Sequence, residues 1–227
     1  MYLSALNKAV SEELPPFATD SYCDIYRGAA ADGNWLAVSL MTNAEREGDG
    51  ATRLWSLAAC SDNRREQQLL KRHAVDESRH ALHYLALLDL CFPDTVAPSF
   101  RAELDQLSPG YSMDQALVAV PGSPYARTPS IDDFAQMNIA EIRTTLHHVM
   151  QRLAIAQHCP ADNLAKATAI LDSLLGDELY HVSYTALLIE RRSRDAERDR
   201  LPAIFCKRLR DFNRITSEEL ERRNFDS

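Results

Sequence analysis

The sequence predicts an all-α fold, a four-helix bundle with shorter helices outside it, on three observations. Glycine and proline are scarce, 7 and 10 in 227 residues, and long stretches lack both, which favours helices over a turn-rich β protein. Four long segments repeat apolar residues every three to four positions, the period of a half-buried helix. Short links join these segments into two pairs, as in antiparallel helical hairpins.

Residues 1–30 read as short helices packed outside the bundle. The first long segment runs from about Asn34 to Cys60, with Leu40, Ala44, Ala51, Leu54 and Ala58 on one face. After a link at Ser61-Asp62-Asn63 the second runs from about Arg64 to Cys91, stops before Pro93 and aligns Leu69, Leu70, Ala81, Tyr84 and Leu88. A Pro-rich stretch of about 40 residues, Phe92–Ser130, follows. It is too long for a turn and reads as a crossover holding short helices. The third segment, from Ile131 to about His158, opens after Ser130 with Asp132 and Asp133 in its first turn, where acids favour a helix start. A turn at Cys159-Pro160-Ala161 leads into the fourth, about Asn163 to Asp195, with Ile170, Leu171, Leu174, Leu188 and Ile189 in its stripe. In the extension 196–227, Pro202 reads as a helix start and Thr216-Ser217-Glu218-Glu219 as a capping box. The whole of 1–227 is expected to form one domain, with the bundle core at about 34–192.

Composition narrows the function. A net charge of −8, from 25 Lys and Arg against 33 Asp and Glu, argues against a broad electrostatic hold on nucleic acid. The five cysteines are scattered and never form a CxxC pair, which argues against a disulfide framework, a zinc ribbon or a rubredoxin module. No signal peptide is apparent and no apolar run reaches the roughly 18 residues of a membrane span. The expectation is a cytoplasmic chain with no membrane or nucleic-acid partner.

The chemistry lies where polar residues interrupt the apolar stripes. The second segment contains Asp76-Glu77-Ser78-Arg79-His80 and the fourth Asp177-Glu178-Leu179-Tyr180-His181. In each, Glu and His are three apart and share a face, the apolar one. Unpaired carboxylates there would cost several kcal/mol, so two of them with two imidazoles call for a cation. Glu47 lies 13 residues before Cys60 and Glu77 lies 14 after Asn63, which puts both about 20 Å from their turn. Glu141, 17 before His158, and Glu178, 16 after Asp162, match in the same way. Four helices can thus bring Glu47, Glu77, His80, Glu141, Glu178 and His181 to one layer of the core.

One Glu from each of two helices plus Glu-x-x-His from two others resembles the ferritin-like di-iron carboxylate superfamily over about residues 34–192. The resemblance implies a ferritin-like four-helix bundle with two irons (Fe/Fe, or Mn/Fe) held by those six residues, Glu77 and Glu178 bridging. Glu45 competes with Glu47 for the first position, but its neighbours at helical spacing, Met41, Gly48, Asp49 and Thr52, are more polar. In related oxygenases each Asp of DExRH contacts the opposite His, which pairs Asp76 with His181 and Asp177 with His80, with Arg79 beside one of them. Tyr180 stands where that pattern has Arg. His73, one turn before Glu77, is an extra ligand, a residue behind the ligands or a packed histidine. Tyr84 has the spacing of the radical tyrosine of ribonucleotide reductase small subunits, although a core tyrosine in an apolar stripe is commonplace. His148, two turns after Glu141, could line the site. Glycines at 48 and 50 read either as a local kink or as room for a substrate beside Glu47.

The resemblance implies O2 chemistry without naming the reaction. The long crossover and both extensions fit iron-storing ferritins poorly, and rubrerythrin-type peroxidases normally carry the CxxC module missing here. What remains is a non-haem di-iron oxygenase of specialised metabolism that hydroxylates or N-oxygenates a small organic substrate. It would take O2 as co-substrate and electrons from an external donor, since the chain has no flavin or nicotinamide fingerprint. The alternative is a ferroxidase, a peroxidase or a metal-binding partner protein without an organic substrate. A homodimer is implied by resemblance, and the basic stretch Lys207–Arg214 is either a docking site for a reductase or carrier protein or a solvated face.

Overall fold

A computed structural model describes residues 1–93, 95–193 and 196–221, with the backbone alone at 196–198 and 221. The described residues are helical with no strand, in eight α-helices: α1 (Tyr2–Glu12), α2 (Asp20–Ala30), α3 (Gly33–Ala59), α4 (Arg64–Cys91), α5 (Pro98–Leu104), α6 (Ile131–His158), α7 (Ala161–Arg192) and α8 (Ala196–Glu221). The expected end of the fourth segment at Asp195, and the last six residues of the 196–227 extension, lie outside the described residues.

Local chemistry sets the helix ends. The Asn63 side chain accepts from the backbone N–H groups of Arg65 and Glu66, which starts α4. Ser130 and Asp133 cap α6 reciprocally: the Asp133 N–H donates to Ser130 Oγ at 3.3 Å and the Ser130 N–H to Asp133 Oδ2 at 2.7 Å. The Asn163 and Leu164 N–H groups turn back to the Pro160 carbonyl and open α7.

The chain divides into two compact units, one of Leu36–Pro129 with Ile155–Asp177, the other of Met1–Trp35, Ser130–Ala154 and Glu178–Ser227. In the first, α3 and α4 form an antiparallel hairpin, with His80 beside Glu47 and Glu77 beside Gly50. The start of α7 runs antiparallel to α4, since Arg79 reaches Asp177 while the Leu90 carbonyl accepts from Asn163. Leu40, Leu70, Leu85, Leu88 and Leu171 fill the core. The crossover contains α5 and one turn of 3₁₀ helix, as expected, and is pinned down along its length. The Tyr111 N–H donates to Ser78 Oγ, the Val120 N–H donates to Ser56 Oγ, and Lys71 Nζ donates to the carbonyls of Met113 and Gln115. Tyr111 stacks on Trp55 at 4.2 Å between ring centres.

Within this unit the glycines at 48 and 50 have a different explanation from the two considered above. A Cβ at Gly48 would stand 1.9 Å from the Leu107 carbonyl oxygen, so backbone of the crossover occupies the place of the missing side chain. That space is filled by the protein itself and is not open to a substrate. At Gly50 a Cβ would approach Glu77 Oε2 to 3.2 Å.

In the second unit α6 and α7 run antiparallel, with Asn138 Nδ2 donating to the Val182 carbonyl and Glu141 facing His181. α1 packs along α8, where Tyr2 meets Phe205 edge to face. Here the expectation of short terminal helices is corrected at the C-terminal end. α8 is one helix of 26 residues, and Pro202 lies inside it instead of starting it. Thr216-Ser217-Glu218-Glu219 is likewise interior and caps nothing. Thr216 Oγ1 accepts from Arg143 Nε at 2.7 Å and Glu219 pairs with the same guanidinium at 2.5 Å, so these side chains serve α6.

Candidate metal centre

The ligand candidates lie on four helices, and each unit carries its own share. On α3 and α4, Glu47, His73, Glu77 and His80 are all buried. Their spacing along α4 (73, 77, 80) places three of them on one face. His80 Nδ1 stands 3.5 Å from Glu77 Oε1 and 3.9 Å from Glu47 Oε2, and His73 Nε2 stands 3.3 Å from Glu77 Oε1. Burial alone would raise the Glu77 pKa. Hydrogen bonds to Glu47, His73 and His80 outweigh it and hold the carboxyl well below its ordinary range. Glu45, the rival for the first position, is exposed.

The other ring nitrogen of His80 faces away from these carboxylates. Its Nε2 lies 3.3 Å from Asp177 Oδ2. Arg79 bridges Asp177 at 2.7 Å and buried Asp76 at 3.0 Å, and Arg72 reaches Asp76 from the other side. An imidazole with one nitrogen toward carboxylates and the other on an aspartate has the arrangement that fixes a metal-binding histidine. His83 stacks beside His80, and its pKa is pushed down to about 4 by burial and by the neighbouring His80 and Arg79.

In the second unit Glu141, Glu178 and His181 are buried together. His181 Nδ1 stands 3.2 Å from Glu178 Oε2 and 4.0 Å from Glu141 Oε2, which repeats the arrangement around His80. A buried polar chain holds this group. The Tyr2 hydroxyl donates to Asn138 Oδ1, Asn138 Nδ2 donates to Thr185 Oγ1, and Thr185 Oγ1 donates to the His181 carbonyl. Tyr180, where the resemblance expects Arg, is half exposed and packs with His181 and Tyr184. His148 and Tyr84 are both buried at 2% exposure, the first on α6 and the second on α4.

Buried His and Glu residues here could therefore hold a metal ion: Glu47, His73, Glu77 and His80 on α3 and α4, and Glu141, Glu178 and His181 on α6 and α7. The donor set is carboxylate oxygen and imidazole nitrogen with no thiolate, which suits iron, manganese or zinc and not a soft ion such as Cu(I). His73, an extra-ligand candidate from the sequence, aligns with Glu77 and His80 through the i, i+4, i+7 spacing visible there. No described helix is long and apolar enough to cross a membrane. Comparison of the chain with protein-family models, curated proteins and solved structures finds no match.

Proposed function

We propose that the chain is a non-haem di-iron oxygenase with a ferritin-like four-helix bundle built on α3, α4, α6 and α7. Glu47, Glu77, His80, Glu141, Glu178 and His181 hold two metal ions, iron in both positions or manganese in one. Metals bound there would supply O2 activation, with electrons from a separate donor protein, for hydroxylation or N-oxygenation of a small organic substrate. The observation that carries this reading is the repeated pattern at the two histidines: His80 and His181 each turn Nδ1 toward a Glu three residues earlier and toward a second Glu on the facing helix.

The protein's own groups then have defined tasks. Four carboxylates balance the charge of two divalent ions, and each imidazole gives one ion a nitrogen ligand. Asp177 lies against His80 Nε2 and orients the ring so that Nδ1 faces the carboxylates of Glu77 and Glu47. Arg79 holds Asp177 in place. The Tyr2–Asn138–Thr185 chain fixes the backbone at His181. Burial of these carboxylates and imidazoles would keep bulk water from metals bound by them.

The test is metal content per chain after anaerobic loading with Fe(II), in the wild type and in a Glu77→Ala/Glu178→Ala double variant. Two irons in the wild type and a large loss in the variant are expected. One iron or fewer in the wild type, or equal content in the two proteins, would sink the assignment.

A further inference from the structure

Mid-helix Ser and Thr hydroxyls have a ready partner in the carbonyl four residues back. Thr52, Ser56, Ser183 and Thr185 all use it. Thr145 on α6 does not: its Oγ1 is buried and has no hydrogen-bond partner, although the Glu141 carbonyl lies one turn away. Gln151, two turns further on, is 2% exposed, and its Oε1 is also buried without a partner. An acceptor in the middle of a helix cannot be served by that helix, whose N–H groups are already committed. Buried polar atoms left in this state cost free energy, and each calls for a specific explanation.

The two residues share one face of α6. At about 100° per residue, Glu141, Thr145, His148 and Gln151 fall within about a third of the circumference of α6. Along the axis, Thr145 is about 6 Å from Glu141, His148 about 10 Å and Gln151 about 15 Å. A stripe of polar groups thus runs along α6 from a metal-ligand candidate, and two of them, Thr145 Oγ1 and Gln151 Oε1, are buried without a hydrogen-bond partner.

We propose that Thr145, His148 and Gln151 bind the organic substrate, a small molecule that donates an N–H or O–H group to Gln151 Oε1 and places its other end toward Glu141. The substrate role rests on the metal reading of Glu141, whereas the binding of a hydrogen-bond donor at Gln151 does not.

Benzyl alcohol and benzylamine, with toluene as the donor-free match, are the probes, measured by equilibrium dialysis against the iron-loaded full chain. Both donors should bind the wild type about tenfold more tightly than toluene, the effect of one satisfied buried hydrogen bond. Gln151→Met should abolish that preference, leave iron per chain unchanged and leave the melting temperature equal or higher, because an orphan acceptor has been removed. Gln151→Asn, which keeps the amide but withdraws it by one methylene, should weaken the preference without altering the fold. No preference in the wild type, or one that survives both substitutions, would overturn the proposal and leave only water on the stripe. A lower melting temperature in Gln151→Met with unchanged probe binding would make Gln151 a structural residue. Iron content in the same samples separates the two failures: iron no higher than in Glu77→Ala/Glu178→Ala refutes the metal reading, whereas intact iron without donor preference refutes the substrate stripe alone.

Discussion

Replacing Gly48 with alanine tests whether the crossover is built into the hairpin or merely lies on it. In a helix interior Gly→Ala gains about 1 kcal/mol from propensity alone. Gly28 in α2 provides the reference, since a Cβ there meets nothing within 4 Å. Gly28→Ala should therefore raise the melting temperature by about 2–4 °C for a chain of this size. At Gly48 the new Cβ would fall 1.9 Å from the Leu107 carbonyl oxygen, a backbone atom that cannot rotate away. Overpacking typically costs about 1–3 kcal/mol, and backbone at this distance belongs at or beyond the upper end. The clash outweighs the propensity gain, and Gly48→Ala should melt several degrees below the wild type. Gly50→Ala lies between: its Cβ meets the end of a flexible carboxylate at 3.2 Å, so a shift near zero is expected. Thermal unfolding followed by circular dichroism gives the order, and fluorescence of Trp55 in a Trp35→Phe background reports whether Tyr111 has left its stack. A Gly48→Ala protein that melts as high as Gly28→Ala would refute the packing argument.

Asp177→Asn removes the carboxylate that faces His80 Nε2 and anchors Arg79; iron should bind about 10–100-fold more weakly in chelator competition, with the helical signal unchanged. Thiol labelling should separate the cysteines: Cys23 and Cys60 are partly exposed, whereas burial beside Cys159 pushes the Cys91 thiol up to about 12, so Cys91 and Cys159 should react only on unfolding. Acid should destabilise the metal-free protein in two stages. The folded pKa of His83, about 4, lies below the ordinary 6.5, so its contribution is complete above pH 6.5 and is lost as pH falls toward 4. Glu77 is also depressed in the fold, from 4.5, so its contribution is complete above pH 4.5 and is lost at lower pH. Urea titrations from pH 7 to 4 should show a shallower decline in His83→Asn, and an unchanged slope would count against the burial of that ring.

What the sequence discloses and what it hides divide along one physical line. The helices expected from about Arg64 to Cys91 and from Ile131 to about His158 are found there, because periodicity, caps and flanking prolines are all local. Glu77 with His80 and Glu178 with His181 are legible for the same reason: a helix brings residues three apart to one face whatever surrounds it. The C-terminal extension misleads because local patterns there have tertiary causes. Pro202 suggests a start, yet the helix runs through it, and the acids at 218 and 219 suggest a cap while Glu219 and Thr216 bind Arg143 on α6. Gly48 belongs with these cases, since a missing side chain shows in the sequence and the backbone that fills its place does not. Gln151 is the extreme: one glutamine in an apolar stretch has no pattern to betray it, and only burial without a partner sets it apart. A ligand that supplied the missing donor would relieve that cost only while bound, so the unmet acceptor favours occupancy of the stripe for a reason that no pairing within the chain supplies.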